Sequence, residues 1–91
     1  MSIQHTVLIQ NFAFNPNDLV INVGDTVVWT NQDDVAHTST SDANPPVWDT
    51  GPIDPGQTSS PIGFGTVGVF PYHCSIHPEM KADVRAVVST D

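Results

Sequence analysis

The chain has 91 residues, which is enough for one compact domain but too few for two domains with separate cores. We therefore expect residues 1–91 to form a single domain. Two basic residues stand against ten acidic ones, and the resulting formal charge of −8 argues against a phosphate-binding surface and against nucleic acid as a partner.

The longest apolar stretches, such as residues 6–9 and 84–88, are far shorter than the roughly 20 residues that a membrane-spanning helix needs. No membrane insertion is expected. The first ten residues lack the basic start, apolar core and cleavage site of a signal peptide. The sequence is therefore compatible with a cytoplasmic protein or with an exported one whose signal peptide has been removed.

Six strand-like runs are separated by turn signals, and no segment shows helical periodicity. The runs span residues 5–10, 18–23, 26–31, 57–64, 67–74 and 82–89. Residues 22–25 form a turn signal, which predicts that the second and third runs pair as a hairpin. Many short antiparallel strands without a helix predict an all-β sandwich.

The middle of the chain, residues 41–56, is rich in Asp, Pro, Gly and Asn and is interpreted as a long connection. We expect one short strand near Val47. Trp48 is expected to anchor this connection by packing into the core, because a buried tryptophan contributes a large apolar area.

A further segment, residues 70–82, carries the functional signal. Strand alternation places Phe70, Tyr72 and Cys74 on one face and His73 on the other. If the aromatic residues face the core, the Cys74 sulfur does too. Cys74 is the only cysteine, so it cannot form an intramolecular disulfide.

Cys74, His77 and Met80 follow one another at intervals of three residues. Two consecutive β-turns would bring these side chains together, and Pro78 suits the second position of the later turn. Thiolate, imidazole and thioether form a soft donor set that selects copper, whereas zinc would favour a different fourth ligand. Each residue alone could be a core or surface residue, but their joint spacing favours a metal site.

A copper site of this type needs a second histidine. His37 follows the third predicted strand and a short polar loop, which could bring it to one end of the sandwich. His5 begins an edge-like strand and is interpreted as a surface residue. The predicted ligand set is therefore His37, Cys74, His77 and Met80.

The sequence resembles the cupredoxins over nearly its whole length. The matching motifs, in chain order, are Phe14-x-Pro16, Leu19-x-Ile21-x-Val23-Gly24-Asp25-Thr26-Val27-x-Trp29-x-Asn31, His37-Thr38 and Tyr72-x-Cys74-x-x-His77-Pro78-x-Met80. The short ligand loop resembles that of amicyanin more than those of plastocyanin or pseudoazurin. The resemblance implies an eight-stranded Greek-key β-sandwich with one copper near one end.

The resemblance also implies the function. The protein would be a type 1 copper protein, not an enzyme, that cycles between Cu(I) and Cu(II) and carries one electron at a time. It would be a periplasmic or otherwise extracytoplasmic monomer. Its partner, a cytochrome, dehydrogenase or oxidase, would dock near His77. The alternatives are a copper oxidase or nitric-oxide-reacting cupredoxin, a copper storage or delivery protein, and a metal-free immunoglobulin-like module.

Two further expectations concern the surroundings of the metal. The resemblance implies that the Thr38 amide donates a hydrogen bond to the cysteine sulfur. Thr38 also stands where some relatives carry an asparagine that ties two loops together, so we expect a less braced site. Glu79 stands where relatives often have an apolar residue, so we expect a charge within the usual hydrophobic docking patch.

Overall fold

The computed structural model describes residues 2–88. These residues contain eight strands and no helix: β1 (Gln4–Gln10), β2 (Ala13–Asn15), β3 (Asp18–Asn22), β4 (Thr26–Asn31), β5 (Thr40–Ser41), β6 (Ile62–Gly63), β7 (Gly68–His73) and β8 (Lys81–Val87). One sheet has the strand order β2-β1-β4-β6 and the other has the order β3-β8-β7-β5. The predicted all-β sandwich is confirmed. No helix of the described part is long and apolar enough to span a bilayer.

The predicted hairpin of the second and third runs is wrong. β3 pairs in parallel with β8, and β4 pairs in parallel with β1. A turn does form at residues 22–25, where the Asp25 amide donates to the Asn22 carbonyl at 3.0 Å and Gly24 has a φ of +96°. This turn carries the chain from one sheet to the other. Ile21 and Trp29 then enter the same core from its two sides.

Other strand bounds differ from the predictions in the less regular regions. The run at residues 57–64 contributes only Ile62–Gly63 and an isolated bridge between Thr30 and Thr58. The short strands β2 and β5 were not predicted, and the strand expected near Val47 is not observed. Val88, inside the last predicted run, lies beyond the end of β8 and is 66% exposed. Ser89, the predicted end of that run, lies outside the described residues.

Trp48 anchors the long connection as predicted. Its side chain is buried, and its ring lies 5.2 Å from that of Phe64 and 5.8 Å from that of Tyr72. It also stacks on Trp29 with ring centroids 6.1 Å apart. The indole N–H donates to the Ser39 hydroxyl at 3.0 Å, so the buried polar atom is satisfied.

Strand direction brings three loops to one end of the sandwich. β1 and β4 run parallel, so their last residues, Gln10 and Asn31, lie at the same end. β7 ends at His73, which is paired with Lys81 at the beginning of β8. The loops that follow β1, β4 and β7 meet at this end and supply the side chains described next.

Candidate metal centre

Three predicted ligands converge in the structure. The side-chain donor atoms of His37, Cys74 and His77 all lie within 4.8 Å of one another. The Cys74 Sγ atom is 3.6 Å from Nδ1 of His37 and 3.8 Å from Nδ1 of His77. His37 and Cys74 are fully buried, whereas His77 is partly exposed. One imidazole of the cluster therefore reaches towards the surface.

Alternation along β7 directs the thiol inward. Tyr72 and Cys74 are both 0% exposed, as the pattern predicted. His73 lies on the opposite face, where its Nδ1 atom is 2.5 Å from a carboxylate oxygen of Asp42. His73 is thereby kept away from the cluster although it adjoins the cysteine.

Two backbone hydrogen bonds close the loop between Cys74 and Met80. The Met80 amide donates to the His77 carbonyl at 2.9 Å, which forms the second of the two predicted turns. The Cys74 amide donates to the Met80 carbonyl at 3.1 Å. The first predicted turn, from Cys74 to His77, is a bend, and the described backbone has no hydrogen bond from the His77 amide to the Cys74 carbonyl. Met80 is 4% exposed and belongs to the core cluster, so its thioether lies in an apolar, water-excluding region.

His37 is fixed through both its backbone and its ring. Its amide and carbonyl pair with the carbonyl and amide of Ile53, at 3.3 and 2.7 Å. Its Nε2 atom is 2.9 Å from Oδ2 of Asp33. Burial raises the pKa of the Asp33 carboxyl, but hydrogen bonds from two backbone amides and the His37 ring outweigh burial, so the net shift is downward. The carboxylate is thus ionised at neutral pH.

Thr38 supports the site at two points. Its amide donates to the Cys74 sulfur at 3.3 Å, which confirms the hydrogen bond implied by the resemblance. Its hydroxyl accepts a hydrogen bond from the Ser75 amide at 2.8 Å and lies 2.9 Å from the Thr40 hydroxyl. The hydroxyl therefore joins the two ligand-bearing loops.

Phe12 is a feature of this end that the sequence did not reveal. It is 51% exposed, and its ring meets those of His37 and His77 edge-on at centroid distances of 5.1 and 5.0 Å. Asn11 and Phe12 form the two-residue connection between β1 and β2, with φ values of 55° and 57°. Asparagine tolerates such values but phenylalanine rarely adopts them, so only Asn11 gave a local signal.

His5 does not join the cluster. It lies near the start of β1, at the opposite end of the sandwich, and its side chain is 25% exposed. Its Nε2 atom is 2.9 Å from Oδ2 of Asp25. It is therefore a partly exposed residue held by an aspartate.

The donor geometry fits a single metal ion. Metal bonds of about 2.0 Å to nitrogen and about 2.3 Å to sulfur can together span up to about 4.3 Å, so the sulfur-to-nitrogen distances of 3.6 and 3.8 Å allow one ion to contact the thiolate and both imidazoles. Thiolate and imidazole donors with a nearby thioether suit copper.

Comparisons with known proteins agree with this geometry. Residues 1–87 match the family described as copper binding proteins, plastocyanin/azurin family. A mutant of amicyanin in the Cu(I) form is 26% identical, with a TM-score of 0.82 over 91% of this chain and 81% of that one. A purple cupredoxin from Nitrosopumilus maritimus is 29% identical, with a TM-score of 0.80 over 91% of this chain and 99% of that one.

A copper-containing nitrite reductase from Thermus scotoductus is also similar. It is 28% identical, with a TM-score of 0.83 over 97% of this chain but only 23% of the reductase. A search of curated proteins found no match. The chain therefore belongs to the plastocyanin/azurin family of copper-binding proteins and is an amicyanin-like type 1 copper electron carrier with one copper ion.

Proposed function

We propose that residues 1–91 form one domain that holds copper through His37, Cys74, His77 and Met80 and acts as a carrier rather than an enzyme. The observation that carries this proposal is the convergence of the Cys74 sulfur with two imidazole nitrogens at 3.6 and 3.8 Å. When bound, copper supplies one-electron redox chemistry. The remaining work of the protein is to hold the ligands and to admit a partner.

The buried ligands favour an unchanging cage. His37 and Cys74 are excluded from water, and the Thr38 amide donates a hydrogen bond to the sulfur. Backbone hydrogen bonds at both ends of the ligand loop restrain Met80. A cage held in this way limits rearrangement between oxidation states, which favours rapid electron transfer.

We further propose that a redox protein, such as a cytochrome, dehydrogenase or oxidase, docks at the His77 end. Apolar side chains are exposed in the loops there, namely Phe12, Val35 and Ile76. Glu79 is exposed in the ligand loop, and the chain carries a formal charge of −8. A partner with an apolar centre and a basic rim would complement this surface. The carrier is proposed to be an extracytoplasmic monomer.

The similarity to a nitrite reductase makes catalysis the alternative function, but two features favour a carrier. A copper enzyme built on this domain would need an open coordination position at the metal or a second metal ion. The buried Met80 is proposed to fill the remaining coordination position of the site formed by His37, Cys74 and His77. Among residues 2–88, one group of three histidine, cysteine or carboxylate donors was found that could hold a metal. Copper delivery would call for additional donors near the site, and His73 is engaged by Asp42.

Absorption and electron spin resonance spectra of the copper-loaded protein test the proposal. We expect an intense visible band from thiolate-to-copper charge transfer. Cys74→Ser should abolish this band, because the hydroxyl is a poor replacement for the thiolate. Ser75→Ala, in the same loop, is the matched control and should retain it. A wild-type protein without the band, or a Cys74→Ser variant that keeps it, would overturn the ligand assignment.

Carrier and enzyme are then separated by kinetics. The copper-loaded wild-type protein should exchange electrons with a small redox protein and return to its starting state without consuming nitrite or oxygen. Steady turnover of either molecule would contradict the carrier proposal even if the visible band were present.

A further inference from the structure

The Asp33 carboxylate gathers three hydrogen bonds at the metal end. Its Oδ1 atom accepts from the Asn11 amide at 2.7 Å, and its Oδ2 atom accepts from the Phe12 amide at 2.9 Å. Oδ2 is also 2.9 Å from Nε2 of His37. The side chain is only 10% exposed, so water competes little for these contacts. One carboxylate thus joins the turn after β1 to a proposed metal ligand.

The chemistry of the carboxylate determines where the hydrogen of the His37 ring resides. Both Asp33 oxygens already accept hydrogen bonds from backbone amides, so the carboxylate meets the His37 ring as an acceptor and Nε2 of His37 is the donor. In the neutral ring the other nitrogen then has a free lone pair. That nitrogen, Nδ1, is the one that lies 3.6 Å from the Cys74 sulfur. Asp33 thereby selects the tautomer that can bind a metal on the side of the thiol.

The same carboxylate stabilises an unfavourable turn. Phe12 has a φ of 57°, and a bulky residue in this region is strained. The two amides that point at Asp33 belong to Asn11 and Phe12, so their hydrogen bonds offset this strain. This turn places the Phe12 ring edge-on against the rings of His37 and His77. Loss of the carboxylate would release both the imidazole and the aromatic ring.

We propose that Asp33 is a positioning residue of the copper centre, which orients His37 and holds Phe12 against the two imidazoles. This inference rests on the proposed ligand set. A hydrogen bond from an imidazole ligand to a carboxylate makes the imidazole a stronger donor to the metal, and such a donor stabilises Cu(II) more than Cu(I). Asp33 therefore lowers the reduction potential and strengthens Cu(II) binding.

Asp33→Asn is the decisive substitution, because the amide cannot accept all three hydrogen bonds. We expect Cu(II) affinity to fall by about 10–100-fold, the usual effect of losing such a partner. Cu(I) affinity should fall less. The potential should therefore rise by about 59 mV for each tenfold difference between the two losses.

Two matched variants separate the hydrogen bonds from the loss of charge. Asp34→Asn removes the same charge at the neighbouring, exposed position. Asp25→Asn removes a histidine-bonded aspartate at the opposite end of β4. Both should leave the potential close to the wild-type value. If Asp33→Asn shifts the potential no more than Asp34→Asn does, Asp33 acts only as a distant charge and the proposal fails.

A nuclear magnetic resonance measurement on the diamagnetic Cu(I) protein gives a second readout. In the wild type, the hydrogen on Nε2 of His37 should exchange slowly with solvent. In Asp33→Asn it should exchange at least about tenfold faster, because the acceptor that protects it is lost. If Asp33→Asn does not fold, the wild-type measurement still decides, since a rapidly exchanging Nε2 hydrogen would overturn the proposal.

The two proposals can fail separately. A wild-type protein without the thiolate-to-copper band refutes the ligand set, whatever Asp33 does. A wild-type protein with the band, together with an Asp33→Asn variant of unchanged potential and unchanged Nε2 exchange, refutes the role of Asp33 alone.

Discussion

The two ends of β4 carry the same arrangement with different consequences. Asp25 precedes the strand and Asp33 follows it, and each carboxylate accepts hydrogen bonds from two backbone amides and one histidine ring. The contacts to Nε2 of His5 and of His37 are both 2.9 Å long. In each case the carboxylate joins β4 to a segment at the beginning or end of β1.

What differs is the other side of each imidazole. His37 is fully buried and its Nδ1 atom faces the Cys74 sulfur at 3.6 Å. His5 is 25% exposed, and it belongs to no group of three metal donors within residues 2–88. A histidine that is hydrogen-bonded to an aspartate therefore has a structural role at one end of this molecule and belongs to the candidate metal centre at the other. The thiol and the second imidazole make the distinction.

Replacing each histidine by alanine is the strongest test of this comparison. His37→Ala removes a proposed ligand, so the visible band should disappear. Cu(II) affinity should fall further than in variants that lose a hydrogen-bond partner of a ligand, where the loss is about 10–100-fold. His5→Ala is the matched control at the opposite end. It should retain the band and the potential and lower only the melting temperature, as measured by absorption and thermal unfolding. Loss of the band in His5→Ala would contradict the comparison.

Met80→Gln should have the next largest effect. The amide oxygen is a harder donor than the thioether and favours Cu(II), so the band should persist while the potential falls. We expect a change of at least tenfold in the relative affinity for the two oxidation states, which corresponds to about 59 mV. Voltammetry of the copper-loaded variant measures this shift. An unchanged potential would mean that the buried Met80 is a core residue and not a copper ligand.

Local patterns predicted the metal-binding loop well. Alternation along one strand fixed the inward direction of Cys74, and the three-residue spacing fixed the turn that ends at Met80, because both depend on neighbouring residues only. The resemblance to known proteins added the expected partner of the Cys74 sulfur, the amide of Thr38. The direction of Cys74 and the turn needed no knowledge of distant contacts, whereas the hydrogen bond from Thr38 joins residues 36 apart and came from the resemblance alone.

Features that depend on distant contacts were missed. The turn at residues 22–25 was recognised, but whether its strands pair or separate into two sheets depends on their contacts with β1 and β8. The position of Phe12 could not be anticipated either. Its positive φ goes against its local preference and is stabilised by Asp33, 21 residues further along the chain.

Asp25, at the end of β4 opposite the metal site, should make the stability of the folded protein depend on pH. A hydrogen bond from the His5 ring, aided by the Ile3 and Asn22 amides, lowers the pKa of Asp25 despite its burial. The ordinary pKa of an aspartate is about 3.9. Because the folded-state pKa lies below the unfolded one, the stabilisation is present above about pH 4 and is lost as pH falls through the folded-state value.

Asp25→Asn should therefore lower the melting temperature of the copper-free protein at pH 7 by a few degrees. The difference from the wild type should shrink as the pH is lowered below about 4, where the wild-type carboxylate becomes protonated. Thermal unfolding of both proteins over this pH range measures the effect. A difference that stays constant throughout would show that the ionised form of Asp25 contributes nothing.

A pair of aspartates without such hydrogen-bond donors should change the stability of the protein with pH in the opposite direction, and by the smallest amount. Asp18 and Asp83 lie opposite each other on β3 and β8, and Oδ1 of Asp83 is buried without a hydrogen-bond partner. Burial raises the pKa of Asp83, and the neighbouring Asp18 raises it further. Because the folded-state pKa lies above the unfolded one, the favourable contribution is present at low pH and is lost as pH rises through the folded-state value.

Asp83→Asn should therefore stabilise the protein at pH 7, by about 0.2–1 kcal/mol, the range for cross-strand charge pairs. The gain should disappear as the pH falls and Asp83 of the wild type takes up a proton. Asp54→Asn, at an exposed position, changes the net charge equally and serves as the control in thermal unfolding. Equal shifts in both variants would assign the gain to net charge. A larger shift in Asp83→Asn would show that the Asp83 carboxylate, which lacks the amide and histidine donors found at the two ends of β4, destabilises the folded state.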